Sequence, residues 1–386
     1  MDPTHSSLEH HPMRELIRLS KSTLDQTDKS AVASVLDNEY LGMGNEVNLF
    51  EKKLANYFGR PVVCVSNGTA ALHLALQACG IGPGDEVLVQ SLTYVASFQA
   101  ISATGAIPIP CDILQDTYTI DCRDAENRLT TRTKAIMPVH YSGGVGNLDE
   151  IYNFAMLHNL RVIEDAAHAF GTTYGNRKVG SFGDISCFSF DGIKNITSGE
   201  GGCLVSEDEE IVDCVRNSRL LGVVNDTVSR YNSKRSWDFE VEQQGWRYHM
   251  SNIMAALGKS QFQRLDEISL KRQELAIYYD KIFKSIPNVA IINHDYTKVV
   301  PHIYPIRLKG ITNRETLRKR LLTKGIETGV HYKPNHHLKY YHNSSSTPLH
   351  VTDCVYKELL SLPLHLDLDF NDISYITDSL LEEFVY

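Results

Sequence analysis

Lys194 lies between an aromatic, hydroxyl-bearing run, Phe188-Ser189-Phe190, and a glycine-rich stretch, Gly199-Glu200-Gly201-Gly202. Most lysines are solvated surface charges. One set between an apolar strand and a run of glycines suits a desolvated amine, the form that Schiff-base chemistry requires. Upstream, Leu160-Arg161-Val162-Ile163 ends in Glu164-Asp165. Taken alone, Asp165 reads as a helix N-cap; its other reading is a carboxylate paired with a buried cation. His168, three residues on, shares a helical face with it or is simply a satisfied structural histidine. Gly68-Thr69-Ala70 follows a β-branched run and opens a helix-forming one. Backbone N–H groups there, with the Thr69 hydroxyl, suit a phosphate; an ordinary strand-to-helix turn is the plain alternative, since no Walker pattern is present. Tyr94, just past another strand, either stacks on a flat ligand or packs into the core.

Together these residues mean more than each alone. A phosphate cradle, a ring stacker, a carboxylate for a pyridinium and a downstream lysine are the parts of a pyridoxal phosphate site. In open α/β sheets ligands gather at the carboxyl ends of strands, and each candidate follows a predicted strand.

The elements that must position them read as follows. Leu24–Leu36 and Glu46–Phe58 are predicted helices, the second capped by Asn45. From residue 60 strands alternate with helices. Strands are predicted at 61–65, 86–90, 106–110, 134–139, 161–164, 185–190 and 202–206, with helices at 70–78, 97–104, 124–129 and 148–158 between the earlier ones. That rhythm predicts an α/β fold with a mostly parallel sheet covered on both faces. Val223–Gln244 is polar and reads as a long exposed loop. Met250–Ile282 reads as one long helix or two. Strands at 304–308 and 327–332 and helices at 314–324, 352–360 and 371–384 then suggest a smaller α+β domain.

Composition bounds the function. The 386 residues suffice for two domains, and 42% hydrophobic with 22% charged residues is ordinary for a globular enzyme. A net charge of −9 argues against general nucleic-acid binding. The eight cysteines form no CxxC pair, so neither a zinc motif nor any metal at the site is expected. With no signal-like opening and no apolar stretch that would span a bilayer, a cytoplasmic chain that uses no membrane is expected. Residues 1–12 are polar and aperiodic and read as a disordered tail or an expression remnant.

Three segments carry a resemblance: Asn67-Gly68-Thr69-Ala70-Ala71-Leu72-His73-Leu74, Glu164-Asp165-Ala166-Ala167-His168, and Phe188-Ser189-Phe190 through Lys194-Asn195 to Gly199-Glu200-Gly201-Gly202. In this order they resemble the DegT/DnrJ/EryC1/StrS family of nucleotide-sugar aminotransferases, from about residue 25 to the C-terminus. The resemblance implies fold type I of the pyridoxal phosphate-dependent transferases. It implies a large cofactor-binding domain with a mostly parallel mixed sheet flanked by helices, over 13–259, and a smaller C-terminal α+β domain, over 260–386. It also implies a homodimer with shared active sites. Lys194 would hold pyridoxal 5′-phosphate covalently and shuttle a proton, with pyridoxamine 5′-phosphate formed during turnover. Asp165 would keep the pyridine nitrogen protonated, His168 would lie near the ring hydroxyl, and Tyr94 would stack. Gly68, Thr69, Ala70 and Ser189 match the phosphate holders.

Two departures stand out. Gly245-Trp246-Arg247-Tyr248-His249 replaces the family's frequent Gly-x-Asn-x-Arg. Arg247 would reach the phosphate of the neighbouring subunit's cofactor or turn toward substrate phosphates. His140-Tyr141-Ser142-Gly143 replaces His-Leu-Tyr-Gly, which would alter the sugar pocket.

Basic clusters suit a nucleotide sugar: Arg230, Lys234, Arg235 and Arg247 in or beside the long loop, and His331, Tyr332, Lys333, His336 and His337 near the C-terminus. Of the second cluster, His331, Tyr332, Lys333 and His337 are the candidate substrate binders. The run Thr328-Gly329-Val330-His331-Tyr332-Lys333-Pro334 resembles enzymes that aminate C4 of a 4-keto sugar, and Met250-Ser251-Asn252-Ile253 resembles perosamine-type members. The expected reaction is therefore transfer of an amino group from L-glutamate to the C4 keto carbon of a nucleotide-linked 4-keto-6-deoxyhexose, for O-antigen, capsule or antibiotic sugars. Amination at C3 is the nearest alternative. A sugar 3-dehydratase would carry histidine in place of Lys194. A non-enzymatic relic of the fold would have no need of Asp165, Ser189 and Lys194 together.

Overall fold

The computed structural model describes residues 15–224, 226–234, 237–342 and 347–385; the tail expected over 1–12 lies outside them. The strands are β1 (Val62–Val65), β2 (Glu86–Gln90), β3 (Ile107–Cys111), β4 (Thr133–Met137), β5 (Arg161–Asp165), β6 (Thr173–Tyr174), β7 (Arg177–Lys178), β8 (Ile185–Ser189), β9 (Gly202–Ser206), β10 (Val289–Ile291), β11 (Tyr304–Leu308) and β12 (Leu359–Leu362). The helices are α1 (Gln26–Asp37), α2 (Asn45–Phe58), α3 (Gly68–Ala78), α4 (Val95–Ala103), α5 (Cys122–Glu126), α6 (Leu148–Leu157), α7 (Glu209–Ser218), α8 (Asp226–Tyr231), α9 (Asn252–Gln263), α10 (Leu265–Phe283), α11 (Arg314–Thr323), α12 (His350–Glu358) and α13 (Phe370–Val385).

Seven strands make the main sheet in the order β1-β9-β8-β5-β4-β2-β3. The pairs from β8 to β3 are parallel, while β9 runs antiparallel to both β8 and β1. Most of its strands are buried along their length, as a sheet covered on both faces requires. Alternate residues feed two cores. Val62, Cys64, Leu88, Ile136, Val162 and Phe188 pack under α2 and α6. Val63, Val65, Val87, Val89, Ile163 and Leu204 pack under α3, α4 and α7. A separate core joins α10, α11 and α13 to the antiparallel sheet β10-β11-β12.

Several elements differ from expectation. Asn45 is the first residue of α2; its cap is Gly44, with no side-chain bond. The expected loop over 223–244 contains α8. Of the two readings of the run after Met250, two helices hold: it breaks at Arg264 into α9 and α10. Residues 327–332 form no strand; they meet the small sheet through the Gly329–Ser361 bridge and a 2.8 Å contact between His331 Nδ1 and Ser361 Oγ. The third strand there is β12, whose short apolar run continues the periodicity of α12; a buried strand of four residues is indistinguishable from a helix end on pattern alone.

Candidate active site

The carboxyl ends of β2, β5 and β8 and the N-terminus of α3 enclose a cavity of about 460 Å³, into which the small domain contributes His302, His331 and Tyr332. At one end of it Asn67 caps α3 by accepting from the Ala70 N–H at 2.8 Å. Gly68 and Thr69 line the cavity there with Ser189. A Cβ on Gly68 would meet Ser189 Cβ at 2.9 Å, so glycine is what lets the helix end approach β8 this closely.

Asp165 ends β5, buried to 5% exposure. One carboxylate oxygen accepts from Ser97 Oγ at 2.7 Å and the other from the Ala167 N–H at 3.2 Å. No helix follows, so Asp165 and His168 share a turn rather than the expected helical face. Behind Asp165, the fully buried Glu164 carboxylate is held by His140 Nε2 and Tyr152 Oη, each at 2.7 Å.

Lys194 Nζ stands 3.5 Å from His302 Nε2. The His302 ring packs on His168 at 4.5 Å between centroids, and His168 Nε2 is 2.9 Å from Tyr332 Oη. His168 Nδ1 is buried with no partner among the described residues. Arg272 on α10 donates to the carbonyl oxygens of His302 and Leu364, tying the small domain to the site. Burial pulls the Lys194 ammonium down to about 8 against the opposing pull of Asp165 and Asp191. Burial first, then the Lys194 charge, pushes His168 and His302 well below the ordinary histidine range. His331 falls to about 4 for the same reasons. Burial also raises the Tyr332 phenol. At neutral pH one amine with a lowered proton affinity thus faces three neutral imidazoles and a protonated phenol.

Of the residues singled out from sequence, Gly68, Thr69, Tyr94, Asp165, His168, Ser189, Lys194, His331 and Tyr332 line this one cavity. Ala70 does not, and its N–H is already committed to Asn67. Lys333 is exposed and His337 bonds Asp353 on α12; neither lines the cavity. Arg247 lines a separate small cleft with Leu220, Leu221, Arg230 and His249. Arg230 is paired with Asp226 at 2.7 Å, and Arg235 lies outside the described residues. Sequence reading missed His302 and Ser97. Their partners are 108 and 68 residues away, and no local pattern announces such contacts.

The residues fit pyridoxal 5′-phosphate. They offer an amine for its aldehyde, a buried carboxylate, a helix N-terminus with a hydroxyl for its phosphate, and in Tyr94 a ring left 58% exposed at the cavity wall.

A family model described as the DegT/DnrJ/EryC1/StrS aminotransferase family matches residues 22–381. The spore coat polysaccharide biosynthesis protein SpsC of Bacillus subtilis is 38% identical, covering 90% of this chain and 92% of its own. The UDP-4-amino-4,6-dideoxy-N-acetyl-β-L-altrosamine transaminase of Campylobacter jejuni is 36% identical, covering 95% and 96%. Among solved structures, Helicobacter pylori PseC, an aminotransferase involved in the biosynthesis of pseudoaminic acid, superposes with a TM-score of 0.89 at 30% identity. That match covers 96% of this chain and 100% of PseC.

Proposed function

The chain belongs to the DegT/DnrJ/EryC1/StrS aminotransferase family, fold type I enzymes that use pyridoxal 5′-phosphate to aminate nucleotide sugars; from that premise we propose that it transfers the amino group of L-glutamate to C4 of a nucleotide-linked 4-keto-6-deoxyhexose. The observation that carries the reading is the convergence of Lys194, Asp165 and the Gly68–Thr69 helix end in one cavity. The C4 assignment is supported by the 4-amino-4,6-dideoxy sugar in the name of the Campylobacter relative, and by His331 and Tyr332 of the C4-like run lining the cavity. Products of this class feed surface or antibiotic sugars, and work in the cytoplasm on a soluble donor fits the reading. Among the described residues no helix is long and apolar enough to cross a membrane.

Pyridoxal phosphate, when bound, supplies an electron-withdrawing pyridinium ring. The chain supplies the rest. Asp165, fixed by Ser97 and the Ala167 N–H, presents a carboxylate that holds a pyridinium proton. Ser189, Thr69 and the α3 N-terminus would hold the phosphate. Tyr94 would cover one face of the ring. Lys194 would anchor the group and, once released, accept and return a proton at Nζ. Its lowered proton affinity leaves a usable fraction neutral near pH 8. Neutral His168 would orient the ring hydroxyl.

We further read the enzyme as a homodimer with shared sites. Arg247 lies away from its own chain's cavity. The segment around it exposes Leu221, Val228, Phe239, Val241 and, to 87%, Trp237, an apolar set suited to a partner surface.

The test is an absorbance spectrum of the purified chain with pyridoxal phosphate, then with L-glutamate, then with UDP- and dTDP-linked 4-keto-6-deoxy sugars. Cofactor capture, a glutamate-driven shift to the pyridoxamine form and an amine at C4 in the product are expected. No capture would overturn the Lys194 assignment and indifference to glutamate the donor; 4-keto sugars left unchanged while a 3-keto-6-deoxy nucleotide sugar is aminated would overturn the regiochemistry.

A further inference from the structure

The segment that carries His331 and Tyr332 into the cavity continues into a cluster that the proposed reaction does not use. His336 and His337 form consecutive positions of a short 3₁₀ turn, Asn335–His337, and Asp353 lies in the first turn of α12. Both imidazole Nε2 atoms converge on one carboxylate oxygen: His336 at 3.1 Å and His337 at 2.9 Å from Asp353 Oδ1. The three ligand atoms all lie within 4.8 Å of one another.

We propose that His336, His337 and Asp353 form a binding site for a divalent transition metal of the Zn²⁺ type, which pins the 331–337 segment to α12. The two histidine–carboxylate separations are near those of ligands around one ion. With metal–ligand bonds of about 2.0–2.1 Å, the edge of a tetrahedron is roughly 3.3 Å, so a small outward movement of the carboxylate admits the ion. Two imidazoles and a carboxylate suit zinc and its neighbours rather than magnesium or calcium, which take oxygen ligands. The cluster is partly open, with His337 exposed, so water completes the coordination.

An outer shell is already in place. His336 Nδ1 is 2.7 Å from Ser91 Oγ, the kind of second contact that fixes a ligand's tautomer and ring plane. Without metal, the His336 Nε2–H donates to Asp353 Oδ1, and His337 Nε2 stands 2.9 Å from the same oxygen. On metal binding at the His336 Nε2 that proton moves to Nδ1, which donates to Ser91 Oγ. The same segment is clamped to the end of β2, because the Asn335 side-chain amide donates to the carbonyl oxygens of Ser91 and Thr93. Thr93 and Tyr94 line the cavity. A metal here would therefore stiffen the wall that His331, Tyr332 and Tyr94 share, without touching Lys194.

The test is Zn²⁺ titration of the full chain by calorimetry or against a chromophoric chelator, with thermal unfolding followed in parallel. Wild type, His337→Ala and Asp353→Asn are compared. His5, His10 and His11 are common to all three and set the background. Expected is one Zn²⁺ equivalent in the wild type above that background, lost in both variants, and a zinc-dependent rise in Tm that the variants lack. Asp353→Asn keeps the shape of the side chain, and His337 is exposed, so both variants are expected to fold. Equal stoichiometry in wild type and variants, or no binding by the wild type, would overturn the site.

Discussion

At the scale of single residues the proposed chemistry rests on Lys194 and on what surrounds it. Lys194→Ala is expected to abolish turnover with an unchanged circular dichroism spectrum; retained turnover would remove it from the mechanism. Facing its Nζ are His302 from the small domain, Asp165 from β5, Asp191 from its own loop and Arg272 from α10. Burial outweighs the two carboxylates, so the group loses its proton at about pH 8 instead of 10.5. Only the neutral amine attacks an aldehyde. The rate of pyridoxal phosphate capture by the apoenzyme should therefore climb with pH and level off just above 8; a climb that continues past 10 would mean an ordinary solvated lysine. Asp165→Asn removes the negative charge at its centre and is expected to cost about 100-fold or more in kcat. Ser97→Ala removes one hydrogen bond to that carboxylate, a loss of about 1–2 kcal/mol, read as a roughly tenfold weaker hold on pyridoxal phosphate. Unchanged cofactor affinity would mean that Ser97 does not set the carboxylate.

Elements decide whether those residues meet. Gly202 opens β9 where it passes between β1 and β8, and a Cβ there would stand 2.7 Å from Asn67 C and O and from Phe188 O. These are backbone atoms with little freedom to give. Gly202→Ala is expected to cost about 1–3 kcal/mol of stability and, because Asn67 caps α3, to weaken phosphate binding too. Gly42→Ala, which meets nothing within 4 Å, serves as the comparison; equal midpoints in urea would refute the packing account. This level also shows what could be read in advance. The β-branched runs with helix formers between them disclosed every strand of the main sheet, because period and composition are local. The small domain was half legible: β11 was expected, whereas β10 and β12 are short apolar runs whose identity depends on the partner strand. For the site, residues that follow predicted strands were visible, namely Asp165, Tyr94 and Gly68. Residues delivered by tertiary contact were invisible or misread. His302 reaches Lys194 across the domain junction, and His337 turns away toward Asp353.

The molecule as a whole has a net charge of −9 yet is read as binding a sugar diphosphate, so the cations that matter must be local. Within one chain they are scarce at the cavity: Lys194 is engaged with the cofactor in the proposed mechanism, and the lining imidazoles His168, His302 and His331 are neutral at pH 7. Arg247 stands apart in its own cleft on a surface rich in exposed apolar groups. The proposed two-fold dimer would resolve the mismatch, since an isologous interface gives each site what it gives the other. If Arg247 serves the partner's cavity, Lys194→Ala and Arg247→Ala chains are each weak or inactive alone but complement each other. Co-expression with distinguishable tags yields hybrids in which one of the two sites has both an intact lysine and an intact arginine. Random pairing makes half the dimers hybrid, so the mixture should recover about a quarter of wild-type activity. A purified hybrid should show about half. Recovery at that level assigns the arginine across the interface. Dimers with no recovery would mean that each cavity draws Arg247, if it draws it at all, from its own chain. A chain that sediments as a monomer with full activity would remove the shared site altogether.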